Sequence, residues 1–439
     1  MARAMKDSGI EWIGEMPINW SIGRIKYNYY LKGRIGWQGL KADEFIDDGP
    51  YLVTGTDFRN GRVNWTTCYH ISQERYDEAP EIHVKTGDLL ITKDGTIGKV
   101  AFIEEKPEQV SLNSHLLIMR PLSLCYSNRF LYWVIQSPAF VKYSLWSQNG
   151  TVMASLSQER INDFSYAMPS KQEQDRIASF LDTECARIDA VIEKTRASIE
   201  EYRKLKQSVI TQAVTKGIRP GRKMKDSGIE WIGEIPEDWK VLSLGAVTES
   251  MRNGYVGPTK DLFVDEGIKY IQSLHIKDGR INFSRQQYYV SEEWANVHPK
   301  IREKDVLIVQ TGDIGSVGLV TAEYDGCNCH ALIIATPKTD LVFPQYLTFF
   351  LRSAVGKELL LYYKTGALLP HLNSGKIKFA SICVPSLQEQ KEIADYLNRK
   401  CAEIDTLFSK KESFAAELES YKKSLIFEYV TGKKEVAAC

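Results

Sequence analysis

The 439-residue chain lacks any apolar run long enough to cross a membrane, and it lacks an excess of charge of either sign. Lys plus Arg and Asp plus Glu both number 56, so bulk charge does not draw the chain to a polyanion. Any nucleic-acid contact must come from local clusters or from partner proteins. Its eight cysteines (Cys68, Cys125, Cys185, Cys327, Cys329, Cys383, Cys401 and Cys439) are scattered and form no secreted disulfide framework. A reducing cytoplasm is the expected setting. Met1–Asp7 leads into polar sequence, so no signal peptide is expected. The apolar fraction of 43% and the length leave room for two or three domains with real cores.

Catalytic signatures are missing too. There is no Asn-Pro-Pro-Tyr or Asp-Pro-Pro-Tyr tetrapeptide, no glycine-rich strand-to-helix turn, no His-Glu-x-x-His and no Gly-x-Ser-x-Gly. Asp77-Glu78-Ala79-Pro80 echoes a helicase box but stands without a phosphate loop. Gly95-Thr96-Ile97-Gly98-Lys99 has the wrong spacing for a P-loop, and the corresponding Gly312–Gly318 has no lysine. Cys327-Asn328-Cys329-His330 offers soft ligands too close together to complete a tetrahedral zinc site. No catalysis, cofactor or metal is therefore expected, and the function to look for is binding.

What the chain does contain is a repeat. Met5–Trp20 and Met224–Trp239 differ at three positions only. Gly61–Trp65 answers Gly279–Phe283, Asp88–Gly98 answers Asp305–Gly315, and Asn113-Ser114-His115 answers Asn328-Cys329-His330. Pro169–Gln174 answers Pro385–Gln390. The ends of each unit agree closely. The middles agree only at Gly, Asp and apolar positions, as two like frames with different surfaces would.

Each middle reads as mixed α/β, with short strands at Leu89–Thr92, Val100–Ile103 and Leu116–Met119 and helical spacing over Phe130–Leu145 and Pro344–Leu361. A long helix follows in each copy. Gln172–Val214 contains no Gly or Pro, and its apolar residues alternate steps of three and four from Ala178, Leu181, Cys185, Ile188 and Ile192 to Val209 and Ala213, with polar breaks at Thr195 and Lys206. The second copy runs from Ala394, Leu397, Cys401 and Ile404 to Leu425 and Tyr429, with breaks at Lys411 and Lys422. Ser170 with Glu173, and Ser386 with Glu389, predict capping boxes. Such helices reach roughly 60 Å, and each needs a partner for its seam. Antiparallel pairing of the two is expected. Because the Met5–Trp20 segment is the piece that would follow the second helix, the unit is cyclic in organisation and the termini are expected to lie near each other.

These pieces, in one order and twice over, resemble the specificity subunit of type I restriction–modification systems across nearly the whole chain. The segments that carry the likeness are Pro17–Trp20 and Pro236–Trp239, the strand-turns Asp88–Gly98 and Asp305–Gly315, Phe130-Leu131-Tyr132 and Tyr346-Leu347, and the Pro-Ser-x-Gln-Glu-Gln entries followed by Ile177 and Ile393. The resemblance implies two α/β (α+β) target-recognition domains, residues 1–169 and 218–385, with long helices at 170–217 and 386–433 forming an antiparallel coiled coil with pseudo-two-fold symmetry. It implies that the chain reads a bipartite site in double-stranded DNA, one half per domain. The helices would act as spacer and as the dock for two methyltransferase subunits, through which motor-nuclease subunits join. The chemistry would belong to those partners. One departure stands out: Lys93-Asp94-Gly95 faces Gln310-Thr311-Gly312 at a turn where the family often has a basic residue.

Base reading needs Arg, Lys, Asn and Gln on base edges, with Lys and Arg on phosphates. The polar-basic turns of the first middle offer Lys32, Arg34, Trp37, Gln38, Arg59, Asn60, Arg62, Lys93, Asp94, Gln148, Asn149 and Thr151. The second offers Arg252, Asn253, Tyr255, Lys260, His275, Lys277, Arg280, Gln310, Thr311, Asp313, Lys364 and Thr365. Arg62 and Arg280 recur in both copies, which suits phosphate contact or structure better than base choice. The competing class is a two-headed protein-binding adaptor with no nucleic-acid role.

Overall fold

The computed structural model describes residues 3–34, 40–94, 98–146, 156–284, 286–366 and 370–437. Two compact units emerge: Met1–Thr195 together with Ser413–Cys439, and Arg196–Glu412.

The core of the first unit is a four-stranded antiparallel sheet in the order Val100–Phe102, Leu89–Thr92, Leu116–Pro121, Tyr29–Gly33. Successive side chains of a strand point to opposite faces. Leu89, Ile91, Leu117 and Met119 accordingly share one core with Phe130 and Val134, while Leu90, Ala101, Leu116 and Ile118 share another with Val53, Val110 and Leu112. Both faces are covered, which is why Leu89–Thr92 reads as a continuous apolar run. The second unit repeats the plan with Val317–Leu319, Val306–Val309, Leu332–Pro337 and Thr248–Asn253. Val306, Ile308, Ile333 and Ala335 face one core, and Leu307, Val309, Leu332 and Ile334 the other. The aspartates noticed in the repeat belong to this frame. Asp88 is buried and pairs with Arg120 at 2.6 Å, and Asp305 is buried and accepts from the Arg302 amide at 2.8 Å.

The helical stretches in the middles are each two helices, not one: Asn128–Gln136 and Pro138–Trp146, then Pro344–Arg352 and Ala354–Tyr362. A serine makes each break. The hydroxyls of Ser137 and Ser353 donate back to the carbonyls of Val134 and Phe350, both at 2.6 Å, and Ser353 then accepts from the Gly356 amide as the cap of the next helix.

Two long helices, Lys171–Lys216 and Leu387–Val430, each contribute to both units. In the first unit Leu181, Cys185, Ile188 and Ile192 share a core with Leu425, Ile426 and Val430. Phe180 meets Tyr429 at 4.5 Å between ring centroids, and Asp189 meets Lys422 at 2.6 Å. In the second unit Tyr202 meets Lys411 and Lys206 meets Asp405. As numbers rise on one helix they fall on the other, so the pairing is antiparallel, as the seams predict. The register differs in one detail, because Ile210 is the buried residue and Val209 lies half-exposed. The helices also pack on the sheet domains, through Ile177 in the first unit and Ile393 in the second.

The expected capping boxes form only in half. The hydroxyls of Ser170 and Ser386 accept from the amides of Glu173 and Glu389 at 3.4 and 3.3 Å. The glutamates themselves turn away from the caps. Glu173 accepts from Arg3 at 2.7 Å and from the Trp20 indole at 3.0 Å. Glu389, 3% exposed, accepts from Arg222 and from the Trp239 indole at 3.2 Å. Each long helix is thus fastened by its first turn to the segment that opens its domain. The end of the second helix closes the first unit: Lys433 donates to the carbonyls of Ile13 at 2.7 Å and Glu15 at 2.8 Å. No helix among the described residues is long and apolar enough to cross a membrane.

Candidate nucleic-acid interface

Three turns per unit carry the polar and basic side chains. The first is a two-residue hairpin. Phe58–Arg59 pairs with Arg62–Val63 across Asn60-Gly61, and Ile276–Lys277 pairs with Arg280–Ile281 across Asp278-Gly279. Both central residues have positive φ (49° and 75°, then 52° and 80°), the type I′ geometry that favours Asn-Gly and Asp-Gly. The tight turn leaves Arg59, Asn60 and Arg62, and likewise Lys277 and Arg280, exposed at its tip.

The second turn follows the central strand. The carbonyl of Lys93 accepts from Leu156 at 2.8 Å, and that of Gln310 accepts from Leu372 at 3.0 Å, so these residues hold the same place. Asp94 lies beside His115, whose Nδ1 is 3.1 Å from its carboxylate. In the second unit Thr311 bridges His371, and Lys364–Thr365 pairs with His371–Leu372. Gln310, Thr311, Lys364 and Thr365 therefore converge, with Asp313 exposed on the same turn and holding the Ser316 hydroxyl at 2.5 Å. The side-chain oxygen of Gln310 is buried with no hydrogen-bond partner among the described residues. Gln148, Asn149 and Thr151, which precede Leu156, lie outside the described residues, as do Trp37 and Gln38.

The third place is the strand that enters each sheet, and here the copies part. Lys32 is half-buried on Tyr29–Gly33. Arg34 is 3% exposed and donates to the Leu112 carbonyl at 3.0 Å and to Ser111 at 2.9 Å. Burial holds its guanidinium below the usual range. In the second unit strand pairing, two residues off the sequence match, puts the Cys329 carbonyl beside Ile271 as Leu112 is beside Val53, and it accepts instead from the Tyr255 backbone at 2.9 Å. The Tyr255 ring stands edge-on to Trp294 and His298, at 5.0 and 5.1 Å. Arg252 braces Thr336 at 3.1 Å and the Lys300 carbonyl at 2.8 Å, while Asn253 and Lys260 are exposed. His275 is fully buried between the Gln272 amide and the Gln286 carbonyl. Desolvation pulls its pKa down, against that second hydrogen bond. Arg34 and His275 are thus placed as frame residues with their side chains away from the surface.

Sequence reading passed over His115 and His371, although the repeated Asn-x-His pattern marks the first of them. It also passed over Arg352 and Lys269, which the fold brings to the hairpin of the second unit. Burial pushes the thiols of Cys327 and Cys329 up to about 11 and about 12, away from the thiolate form a metal takes.

Residues 38–201 and 236–412 match the family model described as the type I restriction modification DNA specificity domain. The chain is 24% identical over 416 residues to the type I restriction enzyme EcoBI specificity subunit of Escherichia coli, covering 90% of this chain and 82% of that protein. It is also 24% identical to the type I restriction enzyme MjaVIII specificity subunit of Methanocaldococcus jannaschii, covering 96% and 94%. Among solved structures, a chain from a study of assembly and conformational transition in a type I R-M system aligns with a TM-score of 0.72 at 16% identity, covering 95% of this chain and 99% of that one. The HsdS subunit from Thermoanaerobacter tengcongensis aligns with a TM-score of 0.53 at 16% identity, covering 95% and 98%.

Proposed function

Because the chain belongs to the family of type I restriction–modification specificity subunits, which recognise rather than catalyse, we propose that each unit reads one half of a split site in double-stranded DNA. One observation carries this reading: the two frames share their sheet order and matched backbone hydrogen bonds on the strand after the turn and at the buried aspartate, yet their turns present different side chains. Lys93-Asp94 stands where the second unit has Gln310-Thr311, and Arg59 where it has Lys277. A module that only gripped phosphates could keep one surface twice. Direct readout demands different donors and acceptors for different bases. The DNA-facing set is then Arg59, Asn60, Arg62, Lys93, Asp94, Gln148, Asn149 and Thr151 in the first unit. In the second it is Asn253, Tyr255, Lys260, Lys277, Arg280, Gln310, Thr311, Asp313, Lys364 and Thr365. Lys32, Arg252, Trp37 and Gln38 complete the candidates.

The long helices dock two methyltransferase subunits, and motor-nuclease subunits join through those, in the cytoplasm. In support, the helices expose large apolar side chains at Leu205, Leu407, Phe414 and Tyr421, surface suited to a protein partner.

Exchange of the middles tests this. Residues 21–168 placed in the position of 241–384 keep the frame and double one reading surface. The assembled complex should then methylate a site whose halves are inverted copies of each other, read by methylation mapping across a genome. A well-folded, assembled chimera that keeps the original asymmetric site sinks the proposal.

A further inference from the structure

Within this DNA-reading proposal, the two hairpins differ in a way that base choice does not explain. In both units the residue after the second sheet strand bonds the buried aspartate: the Ile103 amide donates to the Asp88 carbonyl, and the Val320 amide to the Asp305 carbonyl, both at 2.9 Å. Glu104 and Thr321, the next residues, are therefore structural equivalents. In the first unit Glu104 neutralises Arg62 at 2.8 Å and lies 4.0 Å from Arg129. In the second unit the carboxylate is gone. Among the described residues, neither Lys277 nor Arg280 has an acidic side chain within ion-pair distance.

The uncompensated pair opens onto a groove of about 800 Å³, wholly within the second unit, lined also by Lys269, Arg352, Phe283 and Tyr289. Arg352 is largely buried there and donates to the Asp278 carbonyl at 2.6 Å. Burial holds its guanidinium below the usual range, and the charge of Arg280 pushes the same way, against Asp278 and Asp405. Within the groove Lys269 pairs with Glu323 at 2.8 Å, Arg352 lies 3.6 Å from Asp278 and Lys206 pairs with Asp405 at 2.6 Å, so among the described residues Lys277 and Arg280 are the rim cations left without an ion pair, and that pair calls for an anion. Lys277 and Arg280 are direct cross-strand partners, which places their Cα atoms about 5.5 Å apart. That spacing suits two cations on one compact anion better than an extended acidic helix.

We propose that this groove is a phosphate site: a sequence-independent anchor for the DNA backbone that the second unit possesses and the first has cancelled with Glu104. Each phosphate neutralised contributes about one to the slope of log affinity against log salt.

Binding of the full-length chain to a labelled duplex of arbitrary sequence, followed by fluorescence anisotropy across a salt series, tests it. Lys277→Gln with Arg280→Gln should lower the slope by about one. Thr321→Glu should lower it by about one with both cations still present, and Glu104→Thr should raise it by about one. Melting curves check that each variant folds, and Thr321 is exposed and makes no capping hydrogen bond for a glutamate to disrupt. If the wild type binds duplex and the Lys277/Arg280 variant shows the same slope, the groove assignment is wrong while DNA reading stands. If those substitutions spare DNA binding but weaken capture of a methyltransferase subunit, the groove is a protein dock and the inference is overturned. If the wild-type chain, alone and in its complex, binds no DNA, the DNA-reading proposal falls first.

Discussion

Lys422 reaches across the paired helices to Asp189, its Nζ 2.6 and 2.7 Å from the two carboxylate oxygens. Its repeat counterpart, Lys206, makes the same contact with Asp405 at 2.6 Å. Both lysines interrupt an apolar seam, and both find their partner on the opposite helix. Polar groups at such places set register at some cost in stability.

Reversing both aspartates, with Asp189→Lys and Asp405→Lys, should lower stability by about 1–2 kcal/mol, given roughly 0.5–1 kcal/mol for each partly exposed pair and added like-charge repulsion. Adding Lys206→Asp and Lys422→Asp should restore most of it. Chemical denaturation of the wild type, the double variant and the quadruple variant measures this. A quadruple variant no better than the double would mean that the pairs do not hold the register.

The link from each long helix to its domain gives a second expectation. Glu389→Ala leaves the buried Trp239 indole and much of Arg222 without an acceptor, at a cost of about 2–4 kcal/mol. Arg222 keeps Asp238 at 2.7 Å, so Glu389→Gln, which retains an acceptor for the indole, should lose less. A thermal melt that ranks glutamine with alanine would assign the loss to charge alone.

Stability should also depend on pH through His275. Its pKa lies below the ordinary value of about 6.5 because of burial. Below that value the unfolded chain binds a proton that the folded chain refuses, so stability is full above it and falls as pH drops toward the folded pKa. His330 is shifted the same way by the same cause. Urea midpoints between pH 7 and pH 5 should fall less steeply in His275→Gln than in the wild type, with His330 supplying a remaining slope. Parallel curves would remove His275 from the account.

A permuted chain should fold. Lys433 is bonded to Ile13 and Glu15, and an alanine at Gly432 would crowd Pro17 and Trp20, so the ends of the first unit already meet. A short linker from the residues after Lys433 to Arg3, with new ends cut between the exposed Pro220 and Gly221, makes the second unit resemble the first. Arg3 holds Glu173 across such a gap just as Arg222 would hold Glu389. Native-like melting and methyltransferase assembly are expected. Aggregation of the permutant would count against it.

Much of this was readable beforehand. The seams were visible because Leu181, Cys185 and Ile188 repeat at helical spacing, and Leu89–Thr92 because a strand covered on both faces shows as an apolar block. Asn60-Gly61 and Asp278-Gly279 announced their hairpins by local chemistry alone. The first serine break was half-announced by Pro138, while Ser353 makes the same local back-bond with no proline after it to mark the break. The burial of Arg34 and His275 was hidden because each is covered by backbone that only folding brings to it, Leu112 from far along the chain for Arg34 and Gln286 from the following loop for His275. The second use of Glu173 and Glu389 was hidden for the same reason, since Trp20 and Trp239 stand about 150 residues away.

The division of the chain into units also sets an order in time. Every residue of the second unit lies between Arg196 and Glu412, so its core can close while synthesis is still under way. The first unit begins earlier and finishes later. Ile13, Met16 and Trp20 emerge from the ribosome before the whole of the second unit, yet they share a core with Leu425, Ile426 and Val430, which are made after it. Domains generally fold as units during translation, but here the earlier-born one waits with part of its apolar surface open until the later one is complete. The half made first is the half most exposed to chaperones.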